Sequence, residues 1–254
     1  MRIAVVIPCY KNELNALEER SLNQCLKVLK DYKVIFAIPE GLEVKQKPSF
    51  IKTEEFDKEY FKNISGYNKL MLTSDFYKRF LGYDYVLIYQ LDAFVFRDEL
   101  RSWCQKGYDY IGAPWIATRN LTSSLLRPFK SKSLKKREPI FYKVGNGGFS
   151  LRKTKAFYEI SEKLKQEIKE QLDEKQDEIY SIEDVFWSLK VPEFFPEFKI
   201  PGYEEAVGFA IDRKPELALK LNNNQLPFGC HGIDKPKVKN FWEPIIEREF
   251  RKTD

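Results

Sequence analysis

The stretch VLIYQLDAFVF, Val86 to Phe96, constrains the fold more than any other part of the chain. Apolar, β-branched and aromatic side chains run almost unbroken on either side of a single acid. That is the pattern of a strand buried on both faces, as in sheets covered by helices. Asp92 lies inside the run. Burying an isolated carboxylate is costly, so it must be paired, metal-bound, or placed where the strand ends and meets a cleft. In open α/β sheets ligands gather outside the carboxyl ends of the strands, and a carboxylate emerging there can hold a divalent cation against a phosphate. The structural alternative is an acid that caps a turn ahead of Arg97 and Asp98.

The rest of the chain can build a core around such a strand. Of 254 residues, 43% are hydrophobic and 15% aromatic, which supplies the material for one domain with appended elements. The net charge of +5 is modest and interleaved, so it argues only weakly for an anionic partner and does not by itself indicate nucleic acid. Cys9, Cys25, Cys104 and Cys230 form no CxxC pair and are expected to be reduced structural thiols of a cytoplasmic protein. The opening MRIAVVIPCYKNE is too short in apolar residues for a signal peptide, and no stretch approaches a membrane span of ~20 residues.

Read in order, Ile3 to Ile7 is a buried strand ended by Pro8, and Asn12 is placed to cap a helix carrying Leu14, Leu22, Cys25 and Leu29 on one face. Lys33 to Ile38 is a second strand, giving a β-α-β opening of the length a parallel crossover needs. The turn VIPCYKNE then lies at a strand's carboxyl end, where a nucleotide can sit, and it lacks both GxGxxG and GKS/T. Pro48 to Thr53 reads as a short strand, Gly66 to Phe80 as one helix, Asp98 to Gln105 as a short helix and Lys155 to Lys175 as a charged amphipathic helix. Ala206 to Ile211 reads as a strand or strand-helix unit.

Five features carry candidate chemistry. Lys69, near the start of its helix, is within reach of a phosphate or is simply solvated. The basic run Arg119 to Arg137 reads as a solvated loop, a lid over an anion, or a patch for acidic lipid. Gly145, Asn146, Gly147 and Gly148 exceed what a plain hairpin needs and permit close approach of a ligand to the backbone. Glu183 and Asp184 precede an apolar helical turn, a position that suits either the helix macrodipole or a general base. His231, the one histidine, sits in a loop between Gly229 and Gly232, where imidazole is a ready ligand for manganese-type ions.

Together the ordered pieces VVIPCYKNE, GYNKL, YQLDAFVF, GAPW, GNGGFSLRK, EDVFWS and CHG resemble GT-A-fold glycosyltransferases, most closely a group of uncharacterised bacterial glycosyltransferase-like domains. The resemblance covers roughly residues 3 to 235. It implies an α/β fold, a Rossmann-like mixed sheet flanked by helices, in a single domain over 1–254. Within that domain it implies a nucleotide-binding half at 1–115, a mobile basic loop at 116–139 and an acceptor and catalytic half at 140–254. The family's Asp-x-Asp falls on Gln90, Leu91 and Asp92, so an amide replaces the first acid. Its late histidine falls on His231, and its acidic pair on Glu183 and Asp184.

The resemblance further implies Mn2+ or Mg2+ held by Asp92 and His231, with Pro8, Tyr10, Lys69, Gln90 and Asp92 about the nucleotide. Trp115, Asn146, Gly147 and Gly148 would line the sugar pocket, and Asp184 or Glu183 would act as base in an inverting displacement. The expected partners are a nucleotide-sugar donor, UDP-linked by preference, and a glycan or glycolipid acceptor of bacterial surface polysaccharide. Nucleic acid is not expected. Peripheral contact with the inner face of a membrane through residues 119–137 is. A nucleotidyltransferase and a binder without catalysis are the alternatives, the latter because Gln90 stands where an acid would.

Overall fold

The computed structural model describes residues 1–117, 135, 137–173 and 179–252. The basic run 119–137 therefore lies outside the described residues except at Lys135 and Arg137. Strand β1 (Ile3–Pro8) pairs in parallel with β2 (Lys33–Pro39), and β2 in turn with β3 (Lys52–Phe56). On its other edge β1 pairs with β4 (Tyr85–Tyr89), Val5 lying opposite Leu87. β4 is buried throughout and pairs antiparallel with β7 (Phe149–Lys153), which pairs antiparallel with β6 (Tyr110–Gly112). The result is a mixed sheet of order β3-β2-β1-β4-β7-β6.

Alternation along β4 divides the core. Leu87 and Tyr89 face one layer, with Leu22 and Cys25 from α1 (Ala16–Val28) and Leu29 at its C-terminal cap. Val86 and Ile88 face the other, where Met71, Phe76, Phe157 and Trp187 pack. A second sheet of three short strands sets β5 (Phe94–Val95) antiparallel to β9 (Gly229–Cys230) and β8 (Ala210–Ile211) parallel to β9. The helix Pro236–Lys252 contributes Trp242 and Ile246 to a third apolar cluster with Phe94, Phe96 and Ile211. No helix among the described residues is long and apolar enough to cross a membrane. All four cysteines are free and buried.

Several elements differ from what the sequence suggests. The central run is two strands in two sheets: β4 ends at Tyr89, and a turn closed by the Ala93 amide donating to the Gln90 carbonyl (2.9 Å) redirects the chain into β5. Asp92 therefore sits in a turn rather than a strand. Residues 66–80 form two helices, α2 (Ile64–Leu72) and α3 (Ser74–Arg79), because Thr73 is extended and its hydroxyl accepts from the Phe76 amide. The described part of the span 155–175 likewise holds two helices, Thr154–Lys163 and Lys165–Asp173, and its last two positions lie outside the described residues. The third strand lies later than Pro48 to Thr53, pairing over Lys52–Phe56.

Asn15, not Asn12, caps α1. Its side-chain oxygen accepts from the Leu17 and Glu18 amides at 3.0 Å each, and Glu18 accepts from the Asn15 amide at 2.9 Å. That reciprocal box needs an acid three residues on, which Asn15 has and Asn12 lacks. Asn12 instead lends only its backbone carbonyl, to the Lys45 amide. Asn15→Ala is expected to lower unfolding free energy in urea by about 1 kcal/mol, while Asn12→Ala leaves it within experimental error. Equal losses in the two variants would contradict the assignment.

Candidate functional site

A cavity of 440 Å³ opens at the carboxyl ends of β1 and β4. The turn Pro8–Lys11, the segment Tyr60–Ile64, Tyr67 and Gln90–Asp92 line it. Of the residues expected about a nucleotide, Pro8, Tyr10, Gln90 and Asp92 are therefore together. Lys69 is exposed on α2 and is not among the lining residues; the lysines there are Lys11 and Lys62. Lys11 pairs with Glu18 at 2.6 Å, also at the cavity wall. Tyr10, 64% exposed, and Tyr67 offer aromatic surface at its rim and side.

His231 reaches this place through backbone pairing. It directly follows β9, and its amide donates to the Ile211 carbonyl of β8 at 3.0 Å. Two residues on, the Ile233 amide donates to the Asp92 carbonyl at 3.1 Å, tying the loop to the turn after β4. The imidazole Nε2 then lies 3.1 Å from Asp92 Oδ1 and 3.1 Å from Gln90 Oε1. On the far side of the ring, Nδ1 lies 3.3 Å from Asp212 Oδ1 and 3.1 Å from Asn146 Nδ2. Lys235 Nζ completes the cluster, 3.0 Å from Asp212 Oδ1.

Burial opposes charge on His231, but Asp92 and Asp212 outweigh it and raise the imidazole pKa to about 9. For Asp92 and Asp212 burial acts upward, yet His231 and Lys235 hold both carboxyls below the usual range. Among the described residues no three histidine, cysteine or carboxylate side chains are grouped for a metal. The convergent set is instead one imidazole, one carboxylate and one amide oxygen. It fits a hard divalent ion that completes its shell with water and substrate phosphates, as magnesium and manganese commonly do.

The glycine turn works differently from its expected role. Asn146 has a left-handed φ of 71°, and its Oδ1 accepts from the Gly148 and Phe149 amides at 3.1 and 3.3 Å. A Cβ on Gly147 would collide with Glu183 Oε1, one on Gly148 with the imidazole, and one on Gly145 with the Trp115 ring. The glycines thus admit these three side chains close to the backbone. None of Trp115, Asn146, Gly147 and Gly148 lines the cavity.

The acidic pair braces that turn. Asp184 Oδ2 accepts from the Asn146 and Gly147 amides at 3.1 and 3.3 Å. Glu183 pairs at 3.1 Å with Arg152, which is 0% exposed. The guanidinium also donates to Tyr77 Oη at 2.7 Å and to Ser150 Oγ at 3.1 Å, and lies against the Tyr110 and Phe157 rings. Burial pushes the Glu183 carboxyl up to about 7 despite Arg152, and raises Asp184 as well. Among the described residues, Glu183 Oε2 and Asp184 Oδ1 are buried without a hydrogen-bond partner.

Sequence reasoning missed Arg152 and Asp212. Arg152 left a trace as a cation amid the strand FSLRK, and Asp212 as an acid directly after an apolar strand, the same kind of signal that pointed to Asp92.

Arg152→Met leaves a buried carboxylate without its counter-ion and is expected to cost about 3–5 kcal/mol in urea unfolding, with most of the loss recovered in Arg152→Met/Glu183→Leu. An additive double variant would contradict the pairing. Because the folded His231 pKa is raised from 6.5 to about 9, its stabilising contribution is complete below pH 6.5 and lost as pH rises through 9. Urea midpoints of metal-free protein should fall across that window, and fall less in His231→Gln.

A family model described as "Protein of unknown function (DUF5672)" matches residues 50–231. No curated protein matches the chain. Among solved structures, a crystal structure of an active-site mutant of LgtC is similar, with a TM-score of 0.56 and 16% identity over 98% of this chain and 94% of that one. Another, titled as the galactosyltransferase LgtC with donor and acceptor sugar analogs, has a TM-score of 0.48 and 14% identity over the same shares. The first likeness, at that identity, is one of fold, and the fold is GT-A.

Proposed function

We propose, for a chain that belongs to the family described as "Protein of unknown function (DUF5672)" and carries the GT-A fold, a glycosyltransferase that moves a sugar from a nucleotide sugar to a hydroxyl of a glycan or glycolipid. One observation carries the reading: Asp92, Gln90 and His231 converge at a 440 Å³ cavity at the carboxyl ends of β1 and β4. A cavity of that size suits a nucleotide bound between aromatic walls with a few fixed polar groups. Asp92, Gln90 and His231 would hold Mn2+ or Mg2+, which supplies neutralisation of the negative charge on the departing nucleoside diphosphate. Replacing one acid by Gln90 leaves that ion dependent on the diphosphate itself.

The chain's own residues do the rest. Tyr10 and Tyr67 offer faces for the base or sugar, and Lys11 a counter-charge at the rim. Asp184 is the proposed base: each acid keeps one oxygen unengaged, but Glu183 is ion-paired with the buried Arg152, whereas Asp184 is held through Oδ2 by neutral backbone amides. The acceptor hydroxyl would pass its proton to that oxygen as its own oxygen bonds to the anomeric carbon and the bond to the diphosphate breaks, with inversion. The role requires Oδ1 to be uncovered when substrates bind. UDP as the nucleotide, surface polysaccharide as the product and the cytoplasm as the location complete the proposal. The four free cysteines suit a reducing compartment.

Calorimetric titration of UDP in the presence of manganese tests it. We expect binding that weakens by at least about tenfold, 1.4 kcal/mol, in Asp92→Ala and His231→Ala, together with turnover of a UDP-sugar. Binding equal in folded variants and wild type sinks the ion site. Metal-dependent binding without turnover or hydrolysis of any nucleotide sugar favours a binder that lacks catalysis.

A further inference from the structure

In the neutral ring, the form that can ligate an ion, the two partners of His231 Nδ1 make incompatible demands. Asn146 presents a donor: its amide is oriented by the Gly148 and Phe149 N–H groups on Oδ1, so Nδ2 faces the ring at 3.1 Å. That contact needs a lone pair on Nδ1, which places the ring proton of neutral imidazole on Nε2, facing the acceptors Asp92 Oδ1 and Gln90 Oε1. Asp212 presents an acceptor at 3.3 Å, which needs the proton on Nδ1 and leaves Nε2 with a lone pair. Only the second arrangement can ligate an ion through Nε2.

We infer that Asp212 is a positioning residue for His231, selecting the tautomer whose Nε2 lone pair faces Gln90 and Asp92, and that in the neutral ring without an ion Asn146 favours the competing tautomer. The inference rests on the metal-assisted reading above. Asp212 is built for the task. It directly follows β8, and the register Ile211 to Cys230 sets it beside His231 across the small sheet. It is 6% exposed and fixed by Lys235, and a Cβ on Gly232 would crowd both side chains, which explains a glycine with φ 66° there. A carboxylate behind a ligating imidazole fixes its orientation and raises its basicity. Metal binding then has a cost at Asn146, whose amide must yield Nδ1, and Asn146 is the residue Asp184 grips through the backbone.

Because His231 is the chain's one histidine, long-range proton–nitrogen NMR reads its tautomer without overlap. The probe is Mg2+ with UDP, at a pH where the ring is neutral. Wild type is expected to move its proton from Nε2 to Nδ1 on binding. Asp212→Ala should lose about 10–100-fold in Mg2+-dependent UDP affinity and keep the proton on Nε2. Asn146→Asp turns the competing donor into an acceptor; it should favour the Nδ1 proton even without metal and restore affinity to Asp212→Ala. That variant alone decides the matter should Asp212→Ala not fold: a proton remaining on Nε2 overturns the inference. Wild-type affinity and tautomer in Asp212→Ala overturn it while leaving the metal site standing. Absence of Mg2+-dependent UDP binding in wild type overturns both.

Discussion

A guanidinium without access to water sets the terms for half of this structure. Arg152 stands on a central strand, between Leu151 and Lys153, and its charge has to be met inside the protein. Glu183 meets it, and the aromatic rings of Tyr110 and Phe157 cover it, so the helical segment beginning at Glu183 is drawn against the sheet. Asp184 is carried along as the next residue and arrives with two backbone amides in reach. The turn at Asn146 is thus held from one side by charge that the core cannot leave unpaired.

From the other side it is held by His231. Glycines at 147 and 148 let an acid and an imidazole pack where a methyl group would stand, and the left-handed Asn146 aims its amide between them. The acidic pair and the histidine, 47 residues apart in sequence, consequently share one short turn. His231 Nδ1 contacts the Asn146 side chain, and the Asn146 amide donates to Asp184. The residues proposed for the two halves of the chemistry, Asp92 with His231 and Asp184, are thus linked by contacts through this turn.

Much of the architecture was legible because it is written in local periodicity. The buried runs at Ile3 to Ile7 and Lys33 to Ile38 and the α1 stripe follow from side-chain pattern, and the parallel opening follows from their spacing. The breaks were not legible. Thr73 interrupts a helical pattern through its own hydroxyl, and the stretch from Val86 to Phe96 splits because its two arms join different sheets, a fact about distant strands. The same division holds at the site. Asp92 and His231 stood out as an acid in an apolar run and a lone imidazole, and they do meet. Arg152 and Asp212 act only through contacts made after folding, and Lys69 fell on the exposed face of a helix whose direction the sequence does not disclose. The glycine turn was flagged because it permits close approach, and it provides that approach to the side chains of Glu183, His231 and Trp115.

The most direct measurement is a crystal grown with manganese and uridine diphosphate, with diffraction recorded at the manganese absorption edge. A single anomalous peak is expected within coordination distance of Asp92 and His231 Nε2, with the diphosphate on its open side and the nucleoside in the cavity beside Tyr10. A diphosphate bound elsewhere, or bound in that cavity while His231 stays hydrogen-bonded to Asp92 with no peak between them, would contradict it.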